Sequence, residues 1–496
     1  MTGSILVAGT TSDAGKSIVT TGLCRAFARR GLKVAPFKSQ NMSNNSMVCA
    51  DGAEIGRAQW IQALAAGVEP EAAMNPVLLK PGSDQRSHVV VMGRPAGEIS
   101  SRDFVDGRRQ LARAAYDAFD DLSSRYDVVV AEGAGSPTEI NLRASDYVNM
   151  GLARHAAIPT VVVGDIDRGG VFAAMFGTVA LLEAADQALV AGFVVNKFRG
   201  DLTLLAPGLE QLTALSGRPV LGVLPWRADL WLDSEDALDL EGRRATHDGA
   251  ALKVAVVRLP RISNFTDVDA LGIEPDLDVG FVSDARGLAD ADLVVLPGTR
   301  ATISDLAWLR ERGLDRAILA HAASGRPVLG ICGGFQMLGT TVADPDGVEG
   351  TSGTVVDGLG LLDVRTDFAP DKVLRVPTGS ALGAETTGYE IHHGRISRGD
   401  GVEEFLGGAR AGAVFGTMWH GSLEGDDFRR AFLGAVAQAA ERLWVPSDVS
   451  FAERRQARLD LLGDLVEEHL DVPALLDLVH SGAPSGLAVL PPGGSR

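Results

Sequence analysis

Short, continuously apolar runs alternate along the chain with segments of helical spacing, and this alternation constrains the fold more than any other feature. The runs of the N-terminal part are predicted to be buried parallel strands: Ser4–Ala8, Val34–Phe37, Val128–Ala131, Thr160–Val163, Gly192–Val195 and Val220–Val223. Segments such as Ser17–Arg30 and Gln110–Arg125 lie between them and are predicted helices. This order of elements is typical of a doubly wound α/β sheet.

The alternation stops after Pro225 and resumes at Leu252. We interpret the polar residues 234–250 (SEDALDLEGRRATHDGA) as a linker between two domains, at residues 1–233 and 251–445. The strands predicted for the second domain are Leu252–Val257, Val279–Val282, Leu293–Leu296, Val328–Ile331 and Val414–Trp419. Residues 446–496 are expected to form a short C-terminal helical extension, with one amphipathic helix over Phe451–Leu470 and a loose tail.

Residues 9–17 (GTTSDAGKS) lie between the first predicted strand and a helix, as a phosphate-binding loop does. The backbone N–H groups of such a loop surround phosphates. We therefore predict that Thr11, Gly15, Lys16 and Ser17 bind ATP, with Lys16 on the β/γ-phosphates and the Ser17 hydroxyl on Mg²⁺. Thr11 stands where partitioning-type ATPases carry a signature lysine, which argues against a switch ATPase of that kind. The alternative is a glycine-rich turn without a ligand.

An acidic signal follows the Val128 strand in the sequence AEGAGS, residues 131–136. An acid at the carboxyl end of a strand beside a phosphate loop is the usual second ligand of magnesium. Glu132 is accordingly predicted to bind the metal, and Asp51 is a further candidate ligand. The alternative for Glu132 is a surface acid at a turn.

The stretch PVLGICGGFQML places Cys332 between a predicted strand and a helical pattern that begins at Phe335. A small-residue turn of this kind raises one side chain above the sheet edge and points backbone N–H groups at its target. Cys332 is therefore predicted to be a nucleophile, since a helix N-terminus favours the thiolate. A small buried core cysteine is the alternative.

A nucleophilic cysteine requires a base, and His420 follows the late strand Val414–Trp419. An ordinary surface histidine is the alternative for this position. Gly298 and Thr299 end another strand and are predicted, with Gly333, to supply oxyanion-stabilising backbone N–H groups.

Composition excludes several classes of protein. A formal net charge of −18 argues against a nucleic-acid-binding surface. The 3 cysteines, far apart in sequence, form neither a disulfide framework nor a zinc pattern and suit a reducing cytosol. No apolar run approaches the roughly 20 residues of a membrane span. We expect a cytoplasmic protein that contacts neither membrane nor nucleic acid.

Two family resemblances coincide with these motifs. The second domain resembles class I glutamine amidotransferases through GICGGFQML and WHG, and the first resembles dethiobiotin-synthetase-like P-loop amidoligases through its lengthened loop. In this order they resemble the cobyric acid synthase family, and the resemblance covers about residues 1–480. The stretches that carry it are FKSQNMSNNS, GAEIGRAQWIQALAA, MNPVLLKPGSD, EGAGSPTEINL, GDIDRGGVFAAMFGT and VVNKFRGD.

The resemblance implies a P-loop NTPase-like domain followed by a flavodoxin-like amidotransferase domain. The implied reaction amidates four peripheral carboxylates (b, d, e and g) of a corrin, adenosylcobyrinic acid a,c-diamide, to give adenosylcobyric acid. Glutamine is the nitrogen donor, ATP and Mg²⁺ are required, and each step passes through an acyl phosphate. Ammonia released at Cys332 would need a shielded path to the first domain. The resemblance leaves open whether the chain forms a homo-oligomer.

The matched segments also contain candidates for binding the corrin and the nucleotide. Asn196, at the end of a strand next to Lys197, is expected to read the adenine base. Seven cations are candidates for binding the substrate, and for each one singly a solvated surface residue is an equal alternative. The candidates for the substrate are Lys38, Arg57, Lys80, Arg86, Arg143, Arg168 and Arg199, with Asp165, Asp167 and Glu54 as acidic candidates for substrate or metal.

The residue that orients His420 is not evident from the sequence. Many cysteine–histidine amidotransferases place a glutamate two residues after the histidine, where this chain has Ser422. Glu424 follows two residues later, and we do not assign it the orienting role. We therefore expect Cys332 and His420 to act as a dyad whose hydrolysis of glutamine is slow until ATP and corrin bind. Other functions left open are an a,c-diamide synthase, a peptidoglycan-amidating enzyme and a non-catalytic P-loop regulator.

Overall fold

The computed structural model describes residues 3–81, 86–100, 104–227 and 251–493, so the predicted linker at 234–250 lies outside the described residues. The N-terminal domain contains strands β1 (Gly3–Gly9), β2 (Val34–Phe37), β3 (Gln40–Met42), β4 (Ser46–Val48), β5 (Glu54–Gly56), β6 (Val77–Pro81), β7 (Arg86–Val91), β8 (Arg94–Ser100), β9 (Val128–Glu132), β10 (Thr160–Asp165), β11 (Val190–Phe198) and β12 (Val220–Pro225). Its helices are α1 (Lys16–Arg29), α2 (Arg57–Ala66), α3 (Phe104–Arg125), α4 (Met150–His155), α5 (Val171–Leu181), α6 (Ala184–Gln187) and α7 (Leu202–Ser216).

The central sheet of this domain has the order β12-β11-β10-β1-β9-β2, and all of its pairings are parallel. Its strands are apolar on both faces because helices cover both sides, as the alternation of runs predicts. Strands β1 and β9 are neighbours, and Val7 pairs with Glu132. The phosphate loop after β1 therefore lies beside the carboxyl end of β9.

A smaller sheet, β3-β6-β7-β8, and the antiparallel pair β4–β5 extend from this domain and were not predicted. These strands are short and mix polar with apolar residues, so they lack the continuous apolar pattern of the central strands.

The second domain contains strands β13 (Leu252–Val257), β14 (Leu277–Val282), β15 (Leu293–Leu296), β16 (Val328–Ile331), β17 (Thr341–Asp344), β18 (Thr354–Asp357), β19 (Val364–Arg375), β20 (Thr378–Ala381), β21 (Ala384–Thr387), β22 (Glu390–Arg398), β23 (Glu403–Phe405), β24 (Gly408–Ala411) and β25 (Val414–Thr417). Its helices are α8 (Thr302–Glu311), α9 (Leu314–Ala323), α10 (Gly333–Leu338) and α11 (Asp426–Ala439).

The main sheet of the second domain has the order β14-β13-β15-β16-β25-β24-β23. The first five strands are parallel in the flavodoxin-like order, which confirms the predicted fold class. Strands β24 and β23 add an antiparallel edge that the sequence did not predict. A second sheet, β18-β17-β19-β22, and the hairpin β20–β21 complete the domain.

The C-terminal extension differs from the sequence-based expectation. Helix α12 (Phe451–His469) lies within the predicted helix, and a further helix that was not predicted, α13 (Val472–Ser481), follows it. In the predicted loose tail, most of residues 483–489 are exposed and lie in no helix or strand. Beyond them, the backbone of Leu490 forms two hydrogen bonds with the side chain of Gln187 and attaches the chain to the first domain.

The extension returns to the first domain although it follows the second. Helix α12 lies along α1. Arg25 and Arg29 on α1, and Arg30 directly after it, form ion pairs with Asp460, Asp464 and Glu467 on α12. Apolar residues of α12 and α13 share a core with β1 and α1. In the part of the chain that the structure describes, no helix has the length and apolar character needed to cross a membrane.

Candidate functional site

The phosphate loop has the conformation expected of a loop that opens a helix. Gly15 lies immediately before α1 with a φ of 94°, and a Cβ at this position would meet the side chain of Asn196. The buried Lys16 folds back on the loop, and its Nζ donates to the carbonyl oxygens of Thr11 and Ser12, both at 2.9 Å. The two carbonyl oxygens thus accept the hydrogen bonds that Lys16 would donate to a bound phosphate.

Ser17 and Glu132 meet beside this loop, as the sequence predicts. The Ser17 hydroxyl donates to Glu132 Oε1 at 2.9 Å. Lys38 Nζ lies 3.0 Å from the same oxygen, and Gln62 Nε2 donates to Glu132 Oε2 at 2.6 Å. Burial would raise the pKa of Glu132, but Lys38 and Lys16 outweigh it and hold the pKa below its usual range. Glu132 is therefore a carboxylate beside a hydroxyl, which is an oxygen donor set that suits Mg²⁺.

Asp51 does not join this cluster. It lies in the exposed turn between β4 and β5, where its carboxylate accepts from the backbone N–H of Ala53 at 2.9 Å. Its backbone carbonyl accepts from Arg94. The contacts of Asp51 thus stabilise its own turn, and the structure does not support a metal role for it.

Acidic and basic residues surround the other side of the phosphate loop. Asp165, at the end of β10, pairs with Lys197 at 2.8 Å and lies 3.7 Å from Arg168. Lys197 and Arg168 also bind the backbone and the carboxylate of Asp13 in the loop. Asn196, the residue expected to read the adenine base, donates to the carbonyl of Ala14 at 3.0 Å and so lies against the phosphate loop. These residues connect the phosphate loop to the carboxyl ends of β10 and β11.

Cys332 forms a strained turn between β16 and α10. Its φ of 51° and ψ of −109° are unusual for a residue other than glycine, and this geometry is that of a nucleophile elbow. The turn is tightly packed, because a Cβ on Gly330 or Gly334 would overlap backbone atoms of Phe335 or Leu296. The elbow therefore needs glycines on both sides of the cysteine, and the thiol is buried.

His420 lies against Cys332 and has a second partner that the sequence analysis missed. Its Nδ1 donates to Asp267 Oδ2 at 2.6 Å, and Asp267 Oδ1 accepts from the backbone N–H of Gly421 at 2.8 Å. Burial would lower the pKa of His420, but Asp267 and Cys332 outweigh it and raise the pKa to about 10. The buried imidazole is therefore protonated at neutral pH, between a carboxylate and a sulfur atom.

The predicted oxyanion residues converge on the same place. A Cβ on Gly298 would lie 2.8 Å from His420 Cε1, and a Cβ on Gly333 would lie 2.6 Å from Thr299 Cγ2. Only residues without a side chain allow the two strand ends and the imidazole to approach so closely. Gly298 thus lies against the imidazole, and Thr299 lies against Gly333, the residue that follows Cys332, so an oxyanion role for their backbone N–H groups stays a prediction.

The structure adds Asp267 to the expected dyad of Cys332 and His420, so that the three side chains have the arrangement of a triad. Glu424 does not orient the histidine, because its carboxylate binds Arg57 at 2.9 Å and Arg455 at 2.8 Å. Asp267 lies in a 3₁₀ turn at Phe265–Val268, ten residues beyond β13. The available signal was an acid in the loop after the first strand of the domain, since such loops meet at the carboxyl edge of the sheet.

Several predicted substrate cations already have anionic partners in the structure. Arg143 forms a bidentate pair with the buried Asp186, and Arg199 lies 3.3 Å from Asp167 and stacks over Trp226. The side chain of Arg86 lies outside the described residues. Arg143 is therefore better explained as a structural ion-pair residue than as a ligand of the substrate.

Lys80 and Arg57 lie at the interface between the two domains. Lys80 binds Glu54 at 2.5 Å and the Ser46 hydroxyl at 2.8 Å, and Lys372 of the second domain binds the other oxygen of Glu54. Burial would raise the pKa of Glu54, but the two lysines hold it well below its usual range. Lys80, Arg57 and Glu54 thus connect the domains in this structure, and Lys38 and Arg168 remain as the predicted cations nearest the phosphate loop.

Gln336 is a further residue near the thiol that the sequence analysis did not single out. It lies on α10, four residues after Cys332, and its Oε1 accepts from Thr302 at 3.2 Å. Its Nε2 is buried and has no hydrogen-bond partner among the described residues, and it lies close to Gly394. A buried amide donor without a partner indicates a polar ligand at this position.

Comparisons with known proteins identify the family of each domain. Residues 5–239 match the family model described as "CobQ/CobB/MinD/ParA nucleotide binding domain", and residues 253–428 match "CobB/CobQ-like glutamine amidotransferase domain". A protein of Mycolicibacterium gilvum (strain PYR-GCK) named "Cobyric acid synthase" is 72% identical over 497 residues, which cover 99% of this chain and 100% of that protein. Proteins of the same name from Mycobacterium ulcerans (strain Agy99) and Mycobacterium tuberculosis (strain ATCC 25177 / H37Ra) are each 71% identical, over 99% of each chain.

Proposed function

The chain belongs to the cobyric acid synthase family of glutamine amidotransferase ligases, and from this premise we propose how its two sites divide the reaction. The proposed substrate is the corrin adenosylcobyrinic acid a,c-diamide, whose b, d, e and g carboxylates become amides to give adenosylcobyric acid. The observation that carries the proposal is one chain that holds both a phosphate loop with Lys16 and a thiol–imidazole–carboxylate triad at Cys332.

The second domain would release ammonia from glutamine. Cys332 Sγ attacks the side-chain amide, and the oxyanion that forms lies among the backbone groups of Gly298, Thr299 and Gly333. His420, protonated in the resting site, gives its proton to the departing ammonia, and the glutamyl thioester is then hydrolysed by water. Asp267 holds the imidazole in the orientation that this transfer needs. Gln336 Nε2 is the donor that we assign to the bound glutamine.

The first domain would activate a corrin carboxylate, because a carboxylate is a poor acyl donor at neutral pH. Transfer of the γ-phosphoryl group of ATP forms an acyl phosphate, and ammonia then displaces phosphate to give the amide. Lys16 would leave the carbonyls of Thr11 and Ser12 to bind the phosphates. Ser17 and Glu132 would hold Mg²⁺, which would supply positive charge to the phosphates. Lys38 and Arg168 are the cations that we assign to the carboxylate arms of the corrin.

Ammonia has to pass between the domains without gaining a proton from water. Two polar contacts support a closed interface: Ser46 N–H donates to Asn264 at 2.9 Å, and Lys372 binds the buried Glu54. Charged and polar groups of both domains are thus paired away from solvent. We propose that the shielded path runs along this interface, and full exchange of released ammonia with bulk ammonium during turnover would contradict it.

Mass spectrometry of the product tests the proposed function directly. The enzyme is incubated with the a,c-diamide, ATP, Mg²⁺ and glutamine, and we expect successive mass changes of one carboxyl-to-amide conversion each, up to four. Lys16→Met is the matched control and should abolish these steps with either glutamine or ammonium chloride. Turnover of cobyrinic acid instead of the a,c-diamide would favour an a,c-diamide synthase, and no amide formation by the wild type would favour a non-catalytic regulator.

A further inference from the structure

Helix α2 contacts both candidate sites, one through its first residue and the other through a residue in its middle. Its first residue, Arg57, binds Glu424, which follows the catalytic His420 by four residues. Gln62, on the same helix, donates to Glu132 at the phosphate loop. Five residues of α-helix correspond to about 1.4 turns and roughly 7.5 Å of axial length, so the two side chains leave the helix in different directions. The two chemical sites are thus joined by one short helix.

The Arg57 end of the helix is a buried ionic contact between domains. Arg57 is 1% exposed and binds Glu424 at 2.9 Å, while Arg455 of the C-terminal extension binds the other oxygen of Glu424. Both guanidinium groups lie over the ring of Trp60, with centroid distances of 5.0 and 5.3 Å. A buried arginine cannot separate from its carboxylate without leaving a charge unpaired, so the turn that carries Glu424 has to follow any displacement of Arg57.

Gln62, in the middle of the helix, is bound to a residue that nucleotide binding would affect. Glu132 carries the hydrogen bonds from Gln62, Ser17 and Lys38 on its two carboxylate oxygens. Oxygens that take part in holding a nucleotide and its cation cannot keep all of these donors in the same geometry. The position of Gln62 therefore depends on whether the phosphate loop is occupied.

The segment before the helix makes a second contact beside the triad. Ser46, on β4, donates its backbone N–H to Asn264 at 2.9 Å, and Asn264 precedes Asp267 by three residues. Met47 contacts the Arg57 guanidinium through its sulfur atom. Residues 46–57 thus reach the catalytic pair on both sides, through Asn264 before Asp267 and through Glu424 after His420.

We propose that helix α2 couples occupancy of the phosphate loop to the reactivity of Cys332, with Gln62 and Arg57 as its positioning residues. The inference rests on the proposed function, because it requires the two sites to serve one reaction. Gln62 senses the state of Glu132, the helix moves as a unit, and Arg57 transmits the movement to the turn between His420 and Glu424. Glutamine is then hydrolysed when the ligase site is ready to use the ammonia.

The test measures Cys332 directly and needs no corrin. The full chain is treated with a chloroketone analogue of glutamine, and the rate of alkylation of Cys332 is followed by mass spectrometry with and without Mg²⁺ and a non-hydrolysable β,γ-imido analogue of ATP. We expect the nucleotide to raise the wild-type rate about fivefold or more, which is the lower range of typical coupling between sites. In Arg57→Met and Glu424→Gln the ratio should fall below about twofold.

Two further variants separate coupling from simple damage to either site. Gln62→Leu is measured at saturating nucleotide, checked by calorimetry, and should also lose the rate ratio. Arg29→Met is the matched control, since Arg29 binds Asp460 and Asp464 on the same extension and not Glu424, and it should keep the wild-type ratio. Glu424 is partly exposed, and a glutamine at this position keeps an oxygen that can accept from Arg57, so Glu424→Gln removes the ion pair while the buried guanidinium keeps a polar partner.

Each outcome decides the inference. A wild-type rate that ignores the nucleotide, or variants that keep the wild-type ratio, would overturn it. A wild type that couples alkylation to the nucleotide but fails to amidate the a,c-diamide would refute the proposed substrate and leave the coupling intact. A wild type that amidates the a,c-diamide but shows no effect of the nucleotide on alkylation would refute the coupling and leave the proposed substrate intact.

Discussion

Asp267 accepts a hydrogen bond from His420 at 2.6 Å, although 153 residues separate the two in sequence. The same carboxylate accepts from the backbone N–H of Gly421, so one acid fixes both the imidazole ring and the turn that follows it. Ser422 stands where the resemblance to class I glutamine amidotransferases implies an orienting glutamate. The acid beside His420 in this structure therefore comes from a different part of the domain.

Asp267→Asn is expected to lower glutamine-dependent kcat by about 100-fold or more, because an asparagine amide cannot stabilise the imidazolium form of His420. Ammonia-dependent amidation should persist, since the first domain is untouched. Steady-state assays with glutamine and with ammonium chloride measure the two activities. Ser422→Ala is the control at the family position and should stay within about threefold of wild type; a larger loss there than at Asp267 would reject the triad.

The protonation of His420 also predicts a pH dependence of stability. Its pKa in the folded chain is about 10, above the value of an unfolded histidine, so the folded state holds a proton that the unfolded state has lost. This stabilisation is complete below about pH 6.5 and disappears as the pH rises towards 10. The Tm of wild type should therefore fall more between pH 7 and 9.5 than that of His420→Gln. Equal slopes for the two proteins would contradict the raised pKa, and His155→Gln, at a partly exposed site, serves as the control.

The central strands were predictable because each is apolar on both faces. All four residues of Val328–Ile331 are buried, and a continuously apolar run of this length is typical of a strand in the middle of a parallel sheet. Strand β19 (Val364–Arg375) was not predictable, because Pro370 and several charged residues interrupt its apolar pattern. Helix α13 was missed because its apolar face is buried in a core that it shares with β1, which lies at the other end of the sequence.

The residues of the candidate site likewise include some that could be predicted from the sequence and some that could not. Cys332 and His420 could be found because each follows a buried strand, and β16 and β25 are paired neighbours. Asp267 lies in a short turn without a local pattern of its own, and only the folded chain brings it to His420. The ion pairs that bind Lys80 and Arg57 across the interface likewise depend on the docking of two domains.

Selective alkylation is expected at one of the three cysteines. Burial and the nearby Glu132 raise the pKa of Cys24 far above its usual value, and burial with Asp51 and Glu71 raises that of Cys49 to about 12. Both therefore remain unreactive thiols at neutral pH, whereas Cys332 lies beside a protonated imidazole. Iodoacetamide should label Cys332 alone in the folded protein, as read by peptide mass mapping. Cys332→Ser should take up no label until denatured, and labelling of Cys49 at a similar rate would contradict the prediction.

The fully buried ion pair between Arg429 and Glu274 leads to a stability prediction. The guanidinium binds Glu274 at 2.7 Å and also donates to the carbonyls of Leu423 and Val449, and neither charged side chain is exposed. Through this pair, helix α11 after the His420 turn is connected to the segment that carries Asp267. Arg429→Met should lower the free energy of unfolding by about 3–5 kcal/mol, because it leaves the Glu274 charge buried without its partner.

Replacement of both partners by apolar residues should cost less than replacement of one. Arg429→Met/Glu274→Leu removes the unpaired charge, so its unfolding free energy in urea is expected to lie above that of Arg429→Met. The adjacent Arg430 provides a matched control, since its pair with the exposed Asp427 is 3.5 Å long and Arg430→Met should cost about 1 kcal/mol or less. If Arg430→Met destabilised the chain as much as Arg429→Met, the loss would come from helix α11 itself and not from the buried charge.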